Sequence, residues 1–358
     1  MLYELDNAFR HRRFISPQRL ECSYKRTGAT SFPAASRKWS PTVFPGDVTF
    51  AVLAPGQGSQ SPGMLTPWLD LDGAADRVAR WSERTGLDLH RLGTTADADE
   101  ITDTAVTQPL IVALSLLAFD AGDQRGALPA DAPVAGHSVG ELAAAAIAGV
   151  LSADDAVALT AVRGAEMAKA CGLADTSMAA VMMGDPDEVV AWLADNGLDA
   201  ANQNGAGQIV ASGAADAIAR IVAEPMPGTK VRELQVAGAF HTAYMAPARD
   251  ALASYADSIT MRHPTRPLLS NYDGAVVDSG SDYLERLVNQ ITSPVRWDLT
   301  MDTLAKLGTT STVELPPAGT LTGLVRRQLK GTVTTAVALK SPDDLAKLGP
   351  SDDEDTAS

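Results

Sequence analysis

The segment PVAGHSVGELAAAAIA, at residues 133–148, places a serine between a short apolar run and an alanine-rich run. Its beginning predicts a buried strand and its end predicts a helix. Gly136 and Gly140 flank Ser138 in the G-x-S-x-G pattern of a nucleophile elbow, a sharp turn that carries an exposed serine. A strand that leads through such a turn into a helix is typical of a parallel sheet with helices on its faces. The segment therefore predicts an α/β fold with Ser138 at a turn.

Ser138 has two interpretations. A serine hydroxyl is a poor nucleophile at neutral pH, so catalysis needs a general base and hydrogen-bond donors for an oxyanion. The N-terminus of the following helix would supply free backbone N–H groups. However, Ser138 and Glu141 also fit the S-x-x-E capping box, in which the serine only caps the helix. The motif by itself leaves both roles open.

The alternation of strands and helices continues on both sides of this segment. Residues 48–53 form an apolar run that stops at Pro55, as expected of a buried parallel strand. Further predicted elements are helices at residues 108–119, with a proline in the first turn, 153–170 and 320–330, and a strand at residues 312–315. Together these elements predict a hydrolase-like large α/β domain at residues 48–175 and 237–340.

Residues 176–236 have a separate pattern of predicted strands and helices. The predicted elements are a strand at 178–183, a helix at 186–196, strands at 198–202 and 208–212, a helix at 214–223 and a strand at 230–236. The order β-α-β-β-α-β is that of the ferredoxin-like unit. We therefore expect a self-contained, ferredoxin-like small domain inserted into the large one.

Both ends of the chain differ from its middle. Residues 1–47 hold many basic residues without a sustained apolar period, which predicts a disordered extension or translation from an upstream start codon. An organelle transit peptide is the alternative, but such peptides are poor in acidic residues, and Glu4, Asp6 and Glu21 are present. Residues 341–358 predict a solvated acidic tail.

Charge and composition exclude several classes of protein. The net charge of −15 argues against nucleic-acid binding, which requires basic patches. No run approaches the roughly 18 apolar residues of a membrane span. Cys22 and Cys171 cannot build a disulfide framework or a zinc site, so we expect a protein of the reducing cytoplasm without a metal or other cofactor.

The general base can be approached by elimination among five histidines. Four are set aside by context: His11 in the N-terminal extension, His90 in an exposed setting, His137 because it adjoins Ser138 and should point away, and His263 before a proline in a loop. His241, just after the last strand of the small domain, remains. Because a lone histidine is often structural, both roles stay open for His241 at this point.

Five motifs in a fixed order connect these residues to a known family. They are APGQG at residues 54–58, GHSVGE at 136–141, RG at 163–164, GAFHT at 238–242 and QITSPVRW at 290–297. Together they closely resemble the malonyl-CoA:acyl carrier protein transacylases of fatty-acid synthesis, especially the bacterial stand-alone enzymes. The resemblance covers residues 49–340.

The resemblance implies an acyl-carrier-protein S-malonyltransferase with a ping-pong mechanism. Ser138 would take the malonyl group from malonyl-CoA while His241 accepts the proton of the serine hydroxyl. The phosphopantetheine thiol of acyl carrier protein would then take the malonyl group from the serine. The backbone N–H groups of Gln57 and Val139 would form the oxyanion hole. The backbone carbonyl of Gln290 would orient the histidine, so the pair is a dyad that needs no aspartate.

The resemblance also implies how the substrate is selected. Arg163 would hold the free carboxylate of malonate with its planar guanidinium, although without the family it would be interpreted as a surface arginine. Phe240, beside the base, would leave little room for an α-methyl branch, and Met167 is either a second pocket residue or a core methionine. Because the enzyme and its carrier protein are both acidic, docking would need a local basic patch, for which the candidates are Arg326, Arg327 and Lys330.

The sequence leaves several alternatives to this function. An esterase or thioesterase would share the elbow and the histidine, and an acyltransferase of polyketide synthesis is a second alternative. A non-catalytic binding domain is disfavoured because the motif set is mostly complete. We expect a cytoplasmic monomer whose partners are malonyl-CoA and acyl carrier protein.

Overall fold

The computed structural model describes residues 49–348, and the predicted N-terminal extension at residues 1–47 lies outside this range. The strands are β1 (Thr49–Ala54), β2 (Val134–Gly136), β3 (Thr176–Met182), β4 (Asp199–Gln203), β5 (Gln208–Ala214), β6 (Lys230–Glu233), β7 (Val295–Arg296), β8 (Thr309–Glu314) and β9 (Thr335–Ala338). The α-helices are α1 (Ala74–Thr85), α2 (Leu89–Thr94), α3 (Thr104–Gln124), α4 (Gly140–Ile147), α5 (Ala153–Cys171), α6 (Pro186–Asp195), α7 (Ala215–Ala223), α8 (Ala246–Ala256), α9 (Gly280–Gln290), α10 (Trp297–Lys306) and α11 (Thr320–Gln328). Short 3-10 helices cover Thr66–Trp68, Glu100–Thr102, Ala243–Met245 and Pro342–Leu348.

A parallel sheet forms the centre of the large domain. Its strand order is β2-β1-β8-β9, and all three pairings are parallel. Alternate residues of β1 face different hydrophobic clusters: Val52 and Ala54 join the larger cluster with helices α3 to α5, while Ala51 and Leu53 join a second cluster with α10 and α11. Because both faces are buried, the strand is a continuous apolar run. The sheet with helices on both faces confirms the predicted α/β fold class.

Helix α3 is the central helix of the larger cluster. It begins at Thr104, where the side chain of Asp103 accepts a hydrogen bond from the backbone N–H of Ala105 at 2.8 Å. The predicted start at residue 108 was therefore wrong, because Pro109 lies inside the helix rather than in its first turn. This helix is also long and apolar enough to cross a membrane, which the sequence expectation overlooked, but 78% of its apolar window is buried within the protein.

The small domain has the predicted ferredoxin-like order. Strands β6, β3, β5 and β4 lie side by side and are antiparallel, with α6 and α7 as the two crossover helices. Val181, Leu193 and Ile218 belong to a separate hydrophobic cluster beneath this sheet. The expectation of a self-contained unit was wrong in one respect. Strand β7 comes from the large-domain segment and extends the sheet by pairing in parallel with β4.

Part of the predicted acidic tail is folded. Pro342–Leu348 forms a 3-10 helix, and the side chain of Leu345 within it is 2% exposed and belongs to the larger cluster. The carboxylate of Asp344 accepts hydrogen bonds from the backbone N–H groups of Lys340 and Ser341. Residues 341–348 therefore belong to the folded domain, and the rest of the predicted tail lies outside the described residues.

Candidate active site

Ser138 lies in the turn between β2 and α4, at the end of the central sheet. Its backbone is in the left-handed region, with φ of 52°, which is uncommon for a residue with a side chain. The flanking glycines provide space rather than unusual dihedral angles. A Cβ at Gly136 would lie 2.1 Å from the backbone of Gly140, and one at Gly140 would lie 2.3 Å from the carbonyl oxygen of Ala54. The strand and helix can therefore approach closely enough to present Ser138 at a tight elbow.

The capping interpretation of Ser138 was wrong. The first residue before α4 is Val139, and no side chain caps this helix. The Oγ atom of Ser138 instead lies 2.8 Å from Nε2 of His241 and accepts a hydrogen bond from Nη2 of Arg163 at 3.2 Å. Glu141 does not bond back to the Ser138 backbone as a capping box requires. Its carboxylate accepts from the backbone N–H of Asn271 at 2.7 Å.

His241 is buried and has a defined tautomer. Its Nδ1 atom lies 2.9 Å from the backbone carbonyl oxygen of Gln290 and must therefore donate to it. Nε2 is then free to accept the hydroxyl proton of Ser138. Burial, with the neighbouring Arg163 guanidinium as the next cause, lowers the pKa of His241 to about 3. The imidazole is therefore neutral at physiological pH, as a general base must be.

The other histidines of the described chain do not contact the Ser138 hydroxyl. His137 contacts Asn204 of the small domain through Nε2 at 2.9 Å, and its ring packs edge-on against Trp297. It therefore points away from the elbow hydroxyl, although it lines the same cavity. His90 is exposed, and Nδ1 of His263 faces a backbone carbonyl on the surface. His11 lies outside the described residues.

Arg163 is a buried cation rather than a surface residue. It is 1% exposed, and its Nη atoms donate to Oε1 of Gln108 at 2.6 Å and to Oε1 of Gln290 at 2.9 Å. Within residues 49–348 no carboxylate lies within ion-pair distance of it, and its Nε has no hydrogen-bond partner. Burial lowers the pKa of the guanidinium to about 10. Its side-chain partners, two amides and the Ser138 hydroxyl, are all neutral, and a cation in such surroundings at a cavity wall can accept an anionic ligand.

Two backbone N–H groups are available to an oxyanion. Gln57 and Val139 both line the cavity, and in the described part of the chain neither backbone N–H has a protein acceptor. The N–H of Ser138 itself is engaged by Oδ1 of Asn271 at 2.8 Å. Within the described residues, the N–H of Val139 is therefore the unpaired backbone donor next to the nucleophile.

The cavity in front of Ser138 lies between the two domains and has a volume of about 200 Å³. Phe240 and Met167 line it beside the base and the guanidinium, so Met167 is a core residue and a wall residue together. Residues of the small domain form the opposite wall: Met178, Asn202, Asn204, Val210, Leu234, Gln235 and Val236. Thr320, Leu321 and Leu324 of α11 complete it. The predicted basic residues Arg326, Arg327 and Lys330 are exposed near the end of the same helix.

Cysteine chemistry does not contribute to this cavity. Cys171 is half-buried at the end of α5 and does not line the cavity, and burial raises the pKa of its thiol to about 11. Such a thiol carries little of the reactive thiolate at neutral pH. Cys22 lies outside the described residues.

Sequence reasoning missed three polar residues around the site. Gln108, Asn271 and the side chain of Gln290 hold the guanidinium and the elbow. Gln108 carried a usable signal, because it is a polar amide beside a long apolar run. Asn271 lies in a loop 133 residues from the group it binds, so no local pattern marked it.

The fold and the geometry of the site define the class of the protein. An α/β core with a serine at a strand–helix elbow, a neutral histidine within hydrogen-bond distance and free N–H donors is equipped for acyl transfer through the serine. The buried guanidinium at the cavity wall could pair with a carboxylate of a bound ligand.

Comparison with known proteins agrees with this class. Residues 52–346 match the family described as acyl transferase domain. The malonyl CoA-acyl carrier protein transacylase of Mycobacterium tuberculosis H37Rv is 56% identical over 299 residues, which are 83% of this chain and 98% of that protein. The chain thus belongs to the malonyl CoA-acyl carrier protein transacylase family, as the motifs implied.

Solved structures of this family share the fold. The crystal structure of MCAT from Mycobacterium tuberculosis matches with a TM-score of 0.82 at 55% identity, covering 84% of this chain and all of that chain. A malonyl-transacylase solved in complex with its type II PKS acyl-carrier protein matches with a TM-score of 0.78 at 28% identity, covering 84% of this chain and 98% of that chain.

Proposed function

We propose that this protein transfers the malonyl group of malonyl-CoA to the phosphopantetheine thiol of acyl carrier protein, in fatty-acid biosynthesis. The observation that carries the proposal is the position of the Ser138 hydroxyl, which lies 2.8 Å from the histidine nitrogen and 3.2 Å from the Arg163 guanidinium. A nucleophile that touches its base and a buried cation is suited to an acyl group with a free carboxylate. The names of the relatives support the same substrate and acceptor.

In the first step, the Oγ atom of Ser138 attacks the thioester carbonyl of malonyl-CoA while Nε2 of His241 takes its proton. The negative charge that develops on the carbonyl oxygen is held by the N–H groups of Gln57 and Val139. The carbon–sulfur bond then breaks, and His241 returns the proton to the departing thiolate of coenzyme A. The product is a malonyl ester of Ser138. The carbonyl of Gln290 keeps the histidine oriented and stabilises its transient positive charge.

In the second step, the same groups act in the opposite direction. The thiol of the carrier protein's phosphopantetheine arm gives its proton to His241 and attacks the ester carbonyl. The oxyanion forms again at the same donors, and the ester bond to Ser138 breaks as the serine regains its proton. The malonyl thioester of the carrier protein leaves, and the free enzyme is restored. No cofactor takes part in either step of this proposal.

The cavity wall determines which acyl group fits. Arg163 would pair with the carboxylate of malonate, and no other cation lines the cavity within the described residues. Phe240 would exclude a branched α-carbon next to the base, and Met167 would pack against the acyl chain one helical turn from Arg163. The proposed selectivity is therefore for malonyl over both acetyl and methylmalonyl groups.

The proposal extends to the partner and the setting of the reaction. The exposed residues Arg326, Arg327 and Lys330 would receive the acidic carrier protein, because α11 also lines the cavity that its arm must enter. The nucleophile, the base and the guanidinium all belong to one chain, which is compatible with the proposed monomer. A chain with two cysteines, one of them a free thiol, is compatible with the proposed cytoplasmic location.

Mass spectrometry of the intact protein tests the proposal. Brief exposure to malonyl-CoA should add one malonyl group, which peptide mapping places on Ser138, and added carrier protein should remove it as malonyl-carrier protein. Ser138→Ala should carry no adduct. Rapid appearance of free malonate without transfer would instead assign the protein to the thioesterases.

A further inference from the structure

Glu141 is a buried acid beside the nucleophile that takes no part in the two transfer steps. It lies in the first turn of α4, is 1% exposed and does not line the cavity. Its carboxylate accepts hydrogen bonds from three groups on distant parts of the chain: the backbone N–H of Asn271 at 2.7 Å, the side-chain amide of Gln290, and the hydroxyl of Tyr283 at 3.4 Å. A buried carboxylate is costly unless it is well bonded, so its retention beside the elbow needs a physical reason.

Gln290 connects Glu141 to the base and to the guanidinium. Its backbone carbonyl accepts from His241, its Oε1 accepts from Arg163 at 2.9 Å, and its Nε2 donates both to Glu141 and to the backbone carbonyl of Ser138 at 3.1 Å. The amide is useful only in this orientation, because a flip would turn its NH₂ group toward the guanidinium donors. A carboxylate can only accept hydrogen bonds, so Glu141 selects the orientation that serves Arg163.

Asn271 connects Glu141 to the elbow itself. While its backbone N–H donates to Glu141, its side chain donates to the carbonyl of Gly136 at 2.7 Å and accepts from the N–H of Ser138 at 2.8 Å. These two bonds hold both sides of a turn in which Ser138 has a positive φ. Without them the turn could relax toward a conformation that L-residues prefer.

The charge of Glu141 also affects the pKa of Arg163. Burial raises the pKa of Glu141 to about 7, and the hydrogen bonds from Asn271, Gln290 and Tyr283, together with the Arg163 charge, oppose that effect. In return, the charge of Glu141 opposes the burial that lowers the pKa of Arg163. The two groups are not in direct contact, and the side-chain amide of Gln290 lies between them and bonds to both.

We propose that Glu141 is a positioning residue for acyl transfer, which holds Gln290 and Asn271 so that the elbow, the base and the guanidinium keep one common geometry. The proposal rests on the proposed function in that the geometry matters for attack by Ser138. It goes beyond that function because Glu141 acts through other residues and touches no reacting atom.

The test compares Glu141→Gln with the unchanged protein at about pH 8, where the carboxylate form is in excess. Two reactions of Ser138 are followed by intact mass: malonylation by malonyl-CoA and sulfonylation by phenylmethylsulfonyl fluoride. The second reaction needs the elbow and the base but no carboxylate clamp. If Glu141 positions the nucleophile, both maximal rates should fall about 10- to 100-fold, while the KM for malonyl-CoA changes less than about threefold.

Two outcomes with folded Glu141→Gln would overturn the proposal. Rates within twofold of the unchanged protein for both reactions would show that the carboxylate does not position the serine. Loss of malonylation alone would make Glu141 only a counter-charge for Arg163. If the unchanged protein is sulfonylated but never malonylated, the proposed function fails, and the sulfonylation comparison still tests Glu141.

Further variants separate positioning from general stability. Ser115→Ala removes another buried hydrogen bond, that from Ser115 to the carbonyl of Pro316 at 2.9 Å, and Ser115 does not line the cavity. It should lower Tm by a few degrees and leave both rates within twofold. Should Glu141→Gln not fold, Glu141→Asp retains the charge but retracts the carboxylate and should still slow both reactions. A failure of both variants to fold would assign Glu141 to core stability and overturn the proposal.

Discussion

Replacing Arg163 by alanine should change which acyl group Ser138 accepts. The guanidinium is 1% exposed, and its Nη2 atom lies 3.2 Å from the attacking oxygen. In the proposed reaction it faces the carboxylate of malonate at the wall of the cavity. The variant leaves that carboxylate without a cation, whereas an acetyl group has no carboxylate to lose.

The structure sets the size of the effect. Removing one partner of a buried ion pair costs about 3–5 kcal/mol, because the other charge stays desolvated. At about 1.36 kcal/mol per tenfold change, kcat/KM for malonyl-CoA should fall about 150- to 5,000-fold. The acetyl group needs no cation, so the acetyl reaction should fall far less; loss of the long hydrogen bond from Arg163 to Ser138, at about 1.5 kcal/mol, corresponds to about tenfold.

The assay measures kcat/KM for acylation of Ser138 by malonyl-CoA and by acetyl-CoA, by intact mass in single turnovers. Arg266→Ala is the matched control, because Arg266 is 8% exposed, packs over the ring of Phe119 and does not line the cavity. It should leave the ratio of the two substrates unchanged. An equal fall of the malonyl and acetyl reactions in Arg163→Ala would refute the carboxylate-clamp role.

Three further predictions follow from the same site. Burial and the Arg163 charge hold the pKa of His241 at about 3, so the NMR resonances of its imidazole should not titrate between pH 8 and pH 5. A titration midpoint near the ordinary histidine value of about 6.5 would contradict the described burial. Gly136→Ala should lower the free energy of unfolding, measured in urea, by about 3 kcal/mol or more, because the new Cβ would lie 2.1 Å from the backbone of Gly140. The control Gly172→Ala, whose Cβ would have no contact under 3.4 Å, should change the free energy of unfolding by less than about 1 kcal/mol. Phe240→Ala should raise the use of methylmalonyl-CoA relative to malonyl-CoA by about tenfold in a competition assay, and an unchanged ratio would show that Phe240 does not exclude the branch.

Much of the fold was predictable because its elements have strong local patterns. The small domain shows this best: each of its strands and helices was predicted within a few residues of its observed bounds. The errors occurred where tertiary contacts override local pattern. Strand β7 has only two residues, too few for any periodicity, and exists because β4 offers an unpaired edge. The sequence of Pro342–Leu348 is typical of an acidic tail, but the segment is folded because Leu345 packs into the core.

The reacting groups of the site were predictable, but the side chains that hold them in place were not. Ser138 and His241 stand in recognisable motifs, and elimination among few histidines narrowed the choice of base. Gln108 and Asn271 belong to no recognisable motif. Each amide has its role only because the folded chain brings it next to Arg163 or to the Ser138 backbone. The family resemblance implied a role for the backbone of Gln290 but contained nothing about its side chain.

By itself, the sequence determined the alternation of strands and helices, the elbow at Ser138 and the family. These features depend on neighbours a few residues apart, where periodicity and steric limits act directly. The tertiary structure decided whether the serine caps a helix or meets a base, because Ser138 and His241 are 103 residues apart and Gln290 is 152 residues from Ser138. It likewise showed that Arg163, which local sequence alone would place at the surface, is a buried cation. Contacts over such separations form only when the whole core closes, so no local pattern can encode them.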